Sequence, residues 1–324
     1  MDNKNKRIHL SVSSARSLAE EVLAANGYSI DESQIIGDHL IDAALCGYEY
    51  SGLPKLLNAI EHKRAKQPRT EMFIVKETPC SVLYDAGNNI GMLALQKATV
   101  ECIRKAKKNG IVLIGVKNSW MSGRSAYFVE MIAREDLVGI MMVGSAPQVA
   151  PSGGISALLG VNPIAFGLPN NGAPFIYDAG MTKMTYTDLA LHARLGDSIP
   201  EGVAIDEFGN ATKDPNLALK GALLYFGSHK GFGLALVMQA LSMLTLDKNY
   251  GYLIIAFRPD LLVPLQDFKQ ELKMLIERVK SSPRQSGIDE IRIPSERAFR
   301  EREARTKEGI FIDESIYQSL MDLR

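Results

Sequence analysis

Between residues 92 and 260 the chain alternates stretches of helical period with apolar runs of strand length, and that alternation points to a layered α/β core. A helix from about Met92 ends at Asn109-Gly110 and hands over to Ile111-Val112-Leu113-Ile114-Gly115-Val116. A second, from Ser125 to Glu135, leads into the run Val138 to Val143. Two more runs, Ile164 to Leu168 and Phe175 to Tyr177, follow between Pro and Gly punctuation. A helical stretch from Gly231 to Leu244 then precedes a strand from Tyr252 to Phe257. Before this block the chain reads as helical. Ala15, Leu18, Ala19, Val22 and Leu23 share one face of a helix stopped by Asn26-Gly27. Asp31 opens a D-x-x-Q start with Gln34 for a helix running to Gly47, and a third helical stretch follows Gly52. After the block come a helix from about Leu265 to Lys280 and a charged segment, Glu296 to Lys307. Its signs alternate, as on a solvated helix face rather than a nucleic-acid arm.

Charge and cysteine usage narrow the function classes. Lys and Arg number 37 and balance 37 Asp and Glu, so neither nucleic acid nor an anionic membrane is an expected partner. No apolar run approaches the roughly 20 residues that span a bilayer. The charged start Met1 to Arg7 is followed by no apolar segment of the signal-peptide kind, and a cytoplasmic protein is expected. Cys46, Cys80 and Cys102 are scattered and odd in number, which suits reduced thiols. His9, His39, His62, His192 and His229 form no H-x-x-x-H pair, and no metal site is expected.

The common cofactor fingerprints are absent: there is no G-x-G-x-x-G after a strand and no G-x-x-x-x-G-K-[ST]. Four loops are instead rich in residues that let backbone approach a ligand. They are Asn118 to Gly123, Pro151 to Gly154, Asp178-Ala179-Gly180-Met181-Thr182, and Gly227-Ser228-His229-Lys230-Gly231-Phe232-Gly233. Each stands at a strand–helix junction or loop, where N–H groups and a helix dipole can hold phosphate, and the last adds the cation of Lys230.

Ordered motifs carry a resemblance to a known family. Asn162-Pro163-Ile164-Ala165-Phe166-Gly167-Leu168-Pro169, preceded by Pro151-Ser152-Gly153-Gly154 and Leu159-Gly160, resembles the central signature of the type 2 malate/L-lactate dehydrogenases. That family includes sulfolactate and ureidoglycolate dehydrogenases and reductases of piperideine-2-carboxylate and pyrroline-2-carboxylate. Gly196 to Gly202, His229 to Ala235 and Ile293-Pro294-Ser295-Glu296 are similar as well, so the likeness runs nearly end to end. The segment between Leu244 and Tyr252 looks shorter than in typical members.

The resemblance implies a non-Rossmann, mixed-sheet nicotinamide-binding domain at residues 116–259. A discontinuous substrate and dimerisation domain, helical or α+β, would come from residues 1–115 plus 260–324. It also implies a homodimer and either NADPH or NADH as cofactor. Cofactor contacts are then expected at Met121, Ser122, Gly123, Ser145, Asp178, Ala179, Gly180, His229, Lys230, Gly231, Pro294, Ser295 and Glu296. Ser228 and Ser295 each stand where the family favours glycine.

The pocket positions depart further. Ser51, between Tyr50 and Gly52, falls where the family has its proton-donating histidine, and Met121 where it has a second one. Lys55 takes the place of a substrate-binding arginine, and Val161 that of a threonine. Asp188 remains where the imino-acid reductases carry a carboxylate; its bland alternative is a helix-surface aspartate. Tyr50, Ser51 and Asp188 are therefore the catalytic candidates, and Lys55 and Val161 the substrate-binding ones. The expected activity is NAD(P)H-dependent reduction of a small carboxylate-bearing imine. The alternatives are a 2-hydroxy-acid dehydrogenase that uses His229 or Tyr50 as acid, and a dimeric cofactor-binding protein without turnover.

Overall fold

The computed structural model describes residues 6–324, so most of the charged stretch read at Met1 to Arg7 lies outside it. The chain opens with β1 (Arg7–Leu10), α1 (Val12–Ala25), α2 (Ile30–Leu45) and α3 (Leu53–Glu61). It continues through β2 (Phe73–Thr78), β3 (Ser81–Asp85), α4 (Gly91–Asn109), β4 (Ile111–Lys117), α5 (Ser125–Arg134) and β5 (Val138–Gly144). Then come β6 (Ile164–Leu168), β7 (Phe175–Ala179), α6 (Tyr186–Leu195), β8 (Ala204–Ile205), α7 (Pro215–Lys220) and β9 (Ala222–Leu223). The last elements are α8 (His229–Ser242), β10 (Gly251–Phe257), α9 (Leu265–Lys280), α10 (Glu296–Glu308), β11 (Ile310–Asp313) and α11 (Glu314–Met321).

A seven-stranded mixed sheet in the order β2-β3-β4-β10-β5-β6-β7 forms the centre. Only β3 and β4 run parallel, and β10 inserts between β4 and β5. Helices α4 and α5 cover one face, burying Leu95, Ala98, Val112, Ile114, Phe128 and Ile254 at or below 1% exposure. The other face is covered in part by α8 through Met238, against Met142 and Leu253. The division expected between residues 115 and 116 falls inside β4. The hairpin β2–β3, which precedes it, extends the same sheet, because β3 pairs with β4 along its whole length.

The two chain ends fold together. Strand β1 pairs antiparallel with β11, and the apolar face of α1 read from the sequence packs with Ile36, Leu40, Leu53, Leu56, Ile316 and Leu320. Helix α2 begins earlier than the sequence reading placed it. Ser29 accepts from the Glu32 N–H while the Glu32 carboxylate accepts from the Ser29 N–H, a reciprocal cap that outcompetes Asp31. A third cluster, around Met181, Leu189, Val203, Leu223 and Tyr225, packs the segment after β7 together with Val149 beside the sheet. The three cysteines are free. Among the described residues no helix is long and apolar enough to cross a membrane. No group of three or more His, Cys, Asp or Glu among them could hold a metal ion.

Candidate active site

The three packed regions meet around a cavity of about 840 Å³, within the range of small-molecule sites. One wall comes from the turn before α3, with Tyr50 and Ser51, and from the first turn of α3, with Lys55. The loop before α5 supplies Met121, Ser122 and Gly123. Ser145 follows β5, Val161 precedes β6, and Asp178 and Gly180 mark the end of β7. Pro294 and Ser295 close the rim ahead of α10. Twelve of the residues singled out in the sequence thus converge on one space from six separate segments.

Six do not line it. Ala179 ends β7, paired with Ile164. Asp188 sits in the first turn of α6, its carboxylate 3.9 Å from His192 Nε2. His229 and Lys230 are exposed at the start of α8. Gly231 is buried there, and an added Cβ would stand 2.1 Å from the Phe226 carbonyl oxygen, so its smallness serves packing. The Glu296 carboxylate binds Lys280 and accepts from the Ile293 N–H at 3.1 Å, which fixes the turn into α10. Asp178, although at the cavity, is likewise occupied: its Oδ2 accepts the Ala126 N–H at 2.7 Å and caps α5.

Lys55 has the most unusual electrostatics. The residue is 6% exposed, and its Nζ donates to Thr187 Oγ1 at 3.1 Å. No carboxylate among the described residues forms an ion pair with it, and burial pushes its pKa down from 10.5 to about 8. Tyr50 is shifted the other way: burial first, then the nearby Asp188, push its hydroxyl well up. Burial also raises Asp188 itself, against the pull of His192.

Three participants escaped the sequence reading. His62, just beyond α3 and seven residues from Lys55, is the one histidine among the described residues that lines the cavity. Its ring stacks on Trp120 at 4.6 Å and 9°, and its Nδ1 accepts the Arg64 N–H at 3.2 Å. That bond leaves the neutral-ring proton on Nε2, and burial with Arg64 and Lys63 holds the pKa below the ordinary imidazole range. The seven-residue interval is the signal that could have found it, since two helical turns put both residues on one face.

His39, fully buried on α2, holds the loop before α5 from beneath. Its Nε2 accepts the Arg124 N–H at 2.8 Å, and burial keeps the ring neutral. Gly123, at φ +77°, is forced by this contact, since an added Cβ would lie 2.1 Å from His39 Nε2. Arg124 lines the cavity, but its guanidinium is committed to Asp42 and to Cys46 Sγ behind it.

The cavity suits a nicotinamide group beside a small acid. Ser125 Oγ, at the α5 N-terminus, is a buried polar atom with no protein partner, and it belongs to the lining. Beside it Gly123 and the Ser145 to Gln148 loop offer close backbone approach.

Comparison with known proteins agrees with this geometry. Residues 10–321 match the family model described as malate/L-lactate dehydrogenase. The chain is 30% identical to malate/(S)-sulfolactate dehydrogenase of Methanothermus fervidus, over 95% of each chain. It is also 30% identical to Delta(1)-pyrroline-2-carboxylate reductase 1 of Burkholderia ambifaria, over 100% of this chain and 99% of that one. The crystal structure of a dehydrogenase from Sinorhizobium meliloti superposes with a TM-score of 0.90 at 28% identity, covering 98% of both chains. The chain belongs to the malate/L-lactate dehydrogenase family and is a nicotinamide-dependent oxidoreductase with that family's mixed-sheet, non-Rossmann fold.

Proposed function

We propose that this protein reduces a small carboxylate-bearing imine, a cyclic 2-imino acid or a dehydroamino acid, with NADPH or NADH. The observation that carries the reading is Lys55. A buried ammonium without an ion-pair partner is costly, and a substrate carboxylate would supply the missing charge. The bound cofactor supplies hydride, and the protein's part is to hold the acceptor and manage protons.

The proton-donating groups favour an imine over a ketone. Hydride addition to a ketone leaves an alkoxide that needs a proton from a donor with a pKa near neutrality. Ser51 stands where an imidazole is expected and is a poor acid, and Tyr50 is pushed further from acidity. His62, held neutral at pH 7, offers a hydrogen bond from Nε2 rather than a ready proton. An iminium arrives already protonated on nitrogen, so its reduction gives an amine and no oxyanion. Hydrogen bonding from Tyr50, Ser51 and His62 then suffices to orient the nitrogen or a water, and Asp188 adds a stabilising negative field.

The second reading, a 2-hydroxy-acid dehydrogenase, is favoured by the malate/(S)-sulfolactate relative. Its proposed acid His229 is exposed on α8, outside the cavity lining. The discriminating experiment compares kcat/KM for a cyclic 2-imino acid with pyruvate and oxaloacetate, using both cofactors. Turnover of the oxo acids equal to or better than the imine would overturn the imine reading. Ser51→His is expected to raise the oxo-acid rate.

The reading extends to a cytoplasmic homodimer in which the two chain ends serve substrate binding and dimerisation. Exposed apolar residues on and after α8, from Leu236 and Val237 to Met243, Leu244 and Leu246, support a covered face.

A further inference from the structure

We infer that Arg64 is a positioning residue: it braces the loop that lines the cavity, and with it the imidazole of His62, whose Nε2–H is left for the bound substrate. That role rests on His62 donating to the substrate, and it is the same for an imino or an oxo acid.

Arg64 lies just beyond α3, in the turn that also carries His62. Its guanidinium donates from each nitrogen to a neutral oxygen: Nε to Asn88 Oδ1 at 2.7 Å, Nη1 to the Ser119 carbonyl at 2.9 Å and Nη2 to Asn118 Oδ1 at 2.7 Å. Two of those acceptors belong to asparagines in the left-handed region, Asn88 at φ 65° and Asn118 at φ 54°. Asparagine tolerates that conformation better than most residues, yet it persists only where neighbours enforce it. The Asn88 side chain donates back to the Arg64 carbonyl at 3.1 Å, and the Asn88 N–H donates to the Asn118 carbonyl at 2.9 Å. Arg64 thus ties together the turn after α3, the turn before α4 and the loop before α5. That loop needs a brace, since Met121 and Gly123, where it reaches the cavity, also have positive φ, at 56° and 77°.

The same brace fixes the imidazole. Trp120 stacks on it at 4.6 Å and 9°, and the indole Nε1–H donates to the Asn88 carbonyl at 3.1 Å. The Arg64 N–H holds Nδ1 at 3.2 Å, and Nε2 has no partner among the described residues. Charge works in the same direction. No carboxylate among the described residues pairs with Arg64, because its side-chain partners are all neutral. Burial first, then the charges of Arg64 and Lys63, oppose a second positive charge on the ring. The remaining titratable groups around it are otherwise placed: Glu61 pairs with Arg194, Tyr250 and Lys55 stand elsewhere on the cavity wall, and Asp85 and Asp247 bind Asn118. A proton on Nδ1 would also cost the ring its bond from the Arg64 N–H. Neutral His62 is therefore the braced form, and acid releases it.

Trp120 is the chain's single tryptophan, and it reports on the ring without substrate, because a protonated imidazole quenches an indole stacked on it. Two variants separate charge from brace. Arg64→Met removes both, whereas Arg64→Lys keeps a charge and loses the three-way fork. In a pH titration of Trp120 fluorescence, the quenching midpoint of Arg64→Met should move to higher pH, while that of Arg64→Lys stays near wild type. His62→Gln should abolish the step. With whichever acid the enzyme turns over, both Arg64 variants should lose about tenfold in kcat/KM, the scale of one hydrogen bond. The loss should fall mainly on kcat, since Lys55 still holds the carboxylate, and the acid limb of the Arg64→Met rate profile should rise with the fluorescence midpoint. Circular dichroism checks that each variant folds, and the fluorescence titration stands whether or not the imine reading does. An unmoved midpoint in folded Arg64→Met, or full kcat in both variants, would overturn the inference.

Discussion

Replacing Lys55 by methionine should make the enzyme worse and the fold more stable, and both effects follow from one number. Burial lowers the lysine from 10.5 to about 8, which at about 1.4 kcal/mol per pH unit corresponds to about 3 kcal/mol against the charged form. The sign follows from proton uptake. A base whose folded pKa lies below its unfolded value penalises the fold while it is charged, below pH 8. The penalty fades as pH rises from about 8 to 10.5. Methionine has similar length and removes the penalty, less about 1 kcal/mol for the hydrogen bond that Thr187 loses. Lys55→Met should therefore gain about 2 kcal/mol in denaturant unfolding at pH 7, and that gain should shrink at pH 10. It should lose about 100-fold in kcat/KM, the equivalent of one charged hydrogen bond to a carboxylate. In the wild type, KM should rise about tenfold per pH unit above pH 8, because binding then requires the lysine to regain its proton. A variant that is less stable than wild type at pH 7, or that keeps its KM, would refute the electrostatic account.

Ser228 and Ser295 occupy positive-φ positions, at 51° and 61°, where the resemblance expects glycine. Ser228→Gly and Ser295→Gly should each stabilise the fold by about 0.5–1 kcal/mol in chemical denaturation, and a loss of stability would show that the strain is absent. Lys230→Ala should weaken nicotinamide cofactor binding by about 1.5–3 kcal/mol in a fluorescence titration, and an unchanged Kd in a folded variant would remove α8 from the cofactor site. Sedimentation at micromolar concentration should give twice the chain mass of 35.6 kDa, and a monomer would remove the proposed dimer.

The fold was legible where burial leaves a pattern in the residues. Strand β6 and helix α9 run between the residues read from the sequence, and the apolar face of α1 was visible as period. What escaped had its cause at a distance. Strand β2 is exposed along almost its whole length, so no alternation marks it, and only pairing with β3 makes it a strand. Strands β1 and β11 have four residues each and are defined by a partner some 300 positions away. The insertion of β10 between β4 and β5 is a tertiary fact with no local trace. The start of α2 was read at Asp31, and the reciprocal hydrogen bonding of Ser29 and Glu32 moves it earlier.

At the site, two of the four ligand-like loops read from the sequence, Asn118 to Gly123 and Asp178 to Thr182, reach the cavity while Pro151 to Gly154 and Gly227 to Gly233 do not, and the motifs did not tell what each side chain does. Asp178, Glu296 and Gly231 sit in cofactor-like motifs, yet each has a structural partner that accounts for it: the α5 N-terminus, Lys280 and the Phe226 carbonyl. Arg64 and Arg124 raise the same problem with opposite consequence. In a sequence, every arginine is a free cation, and a pocket containing two of them reads as a site for a dianion. Here Arg124 is paired with Asp42, and Arg64 is held in place by neutral acceptors of Asn88, Asn118 and Ser119 and keeps its charge, so Lys55 is the buried cation of the lining that has no carboxylate partner among the described residues. Substitution of an arginine by a lysine at position 55 then has a physical meaning. A guanidinium keeps its charge at any accessible pH and grips a carboxylate with two parallel bonds, whereas a buried ammonium is a point charge that can be lost. On the proposed reading, with Ser51 standing where the resemblance places the proton-donating imidazole, the pocket would hold one carboxylate through Lys55 and lack a ready acid. That combination suits an acceptor that brings its own proton.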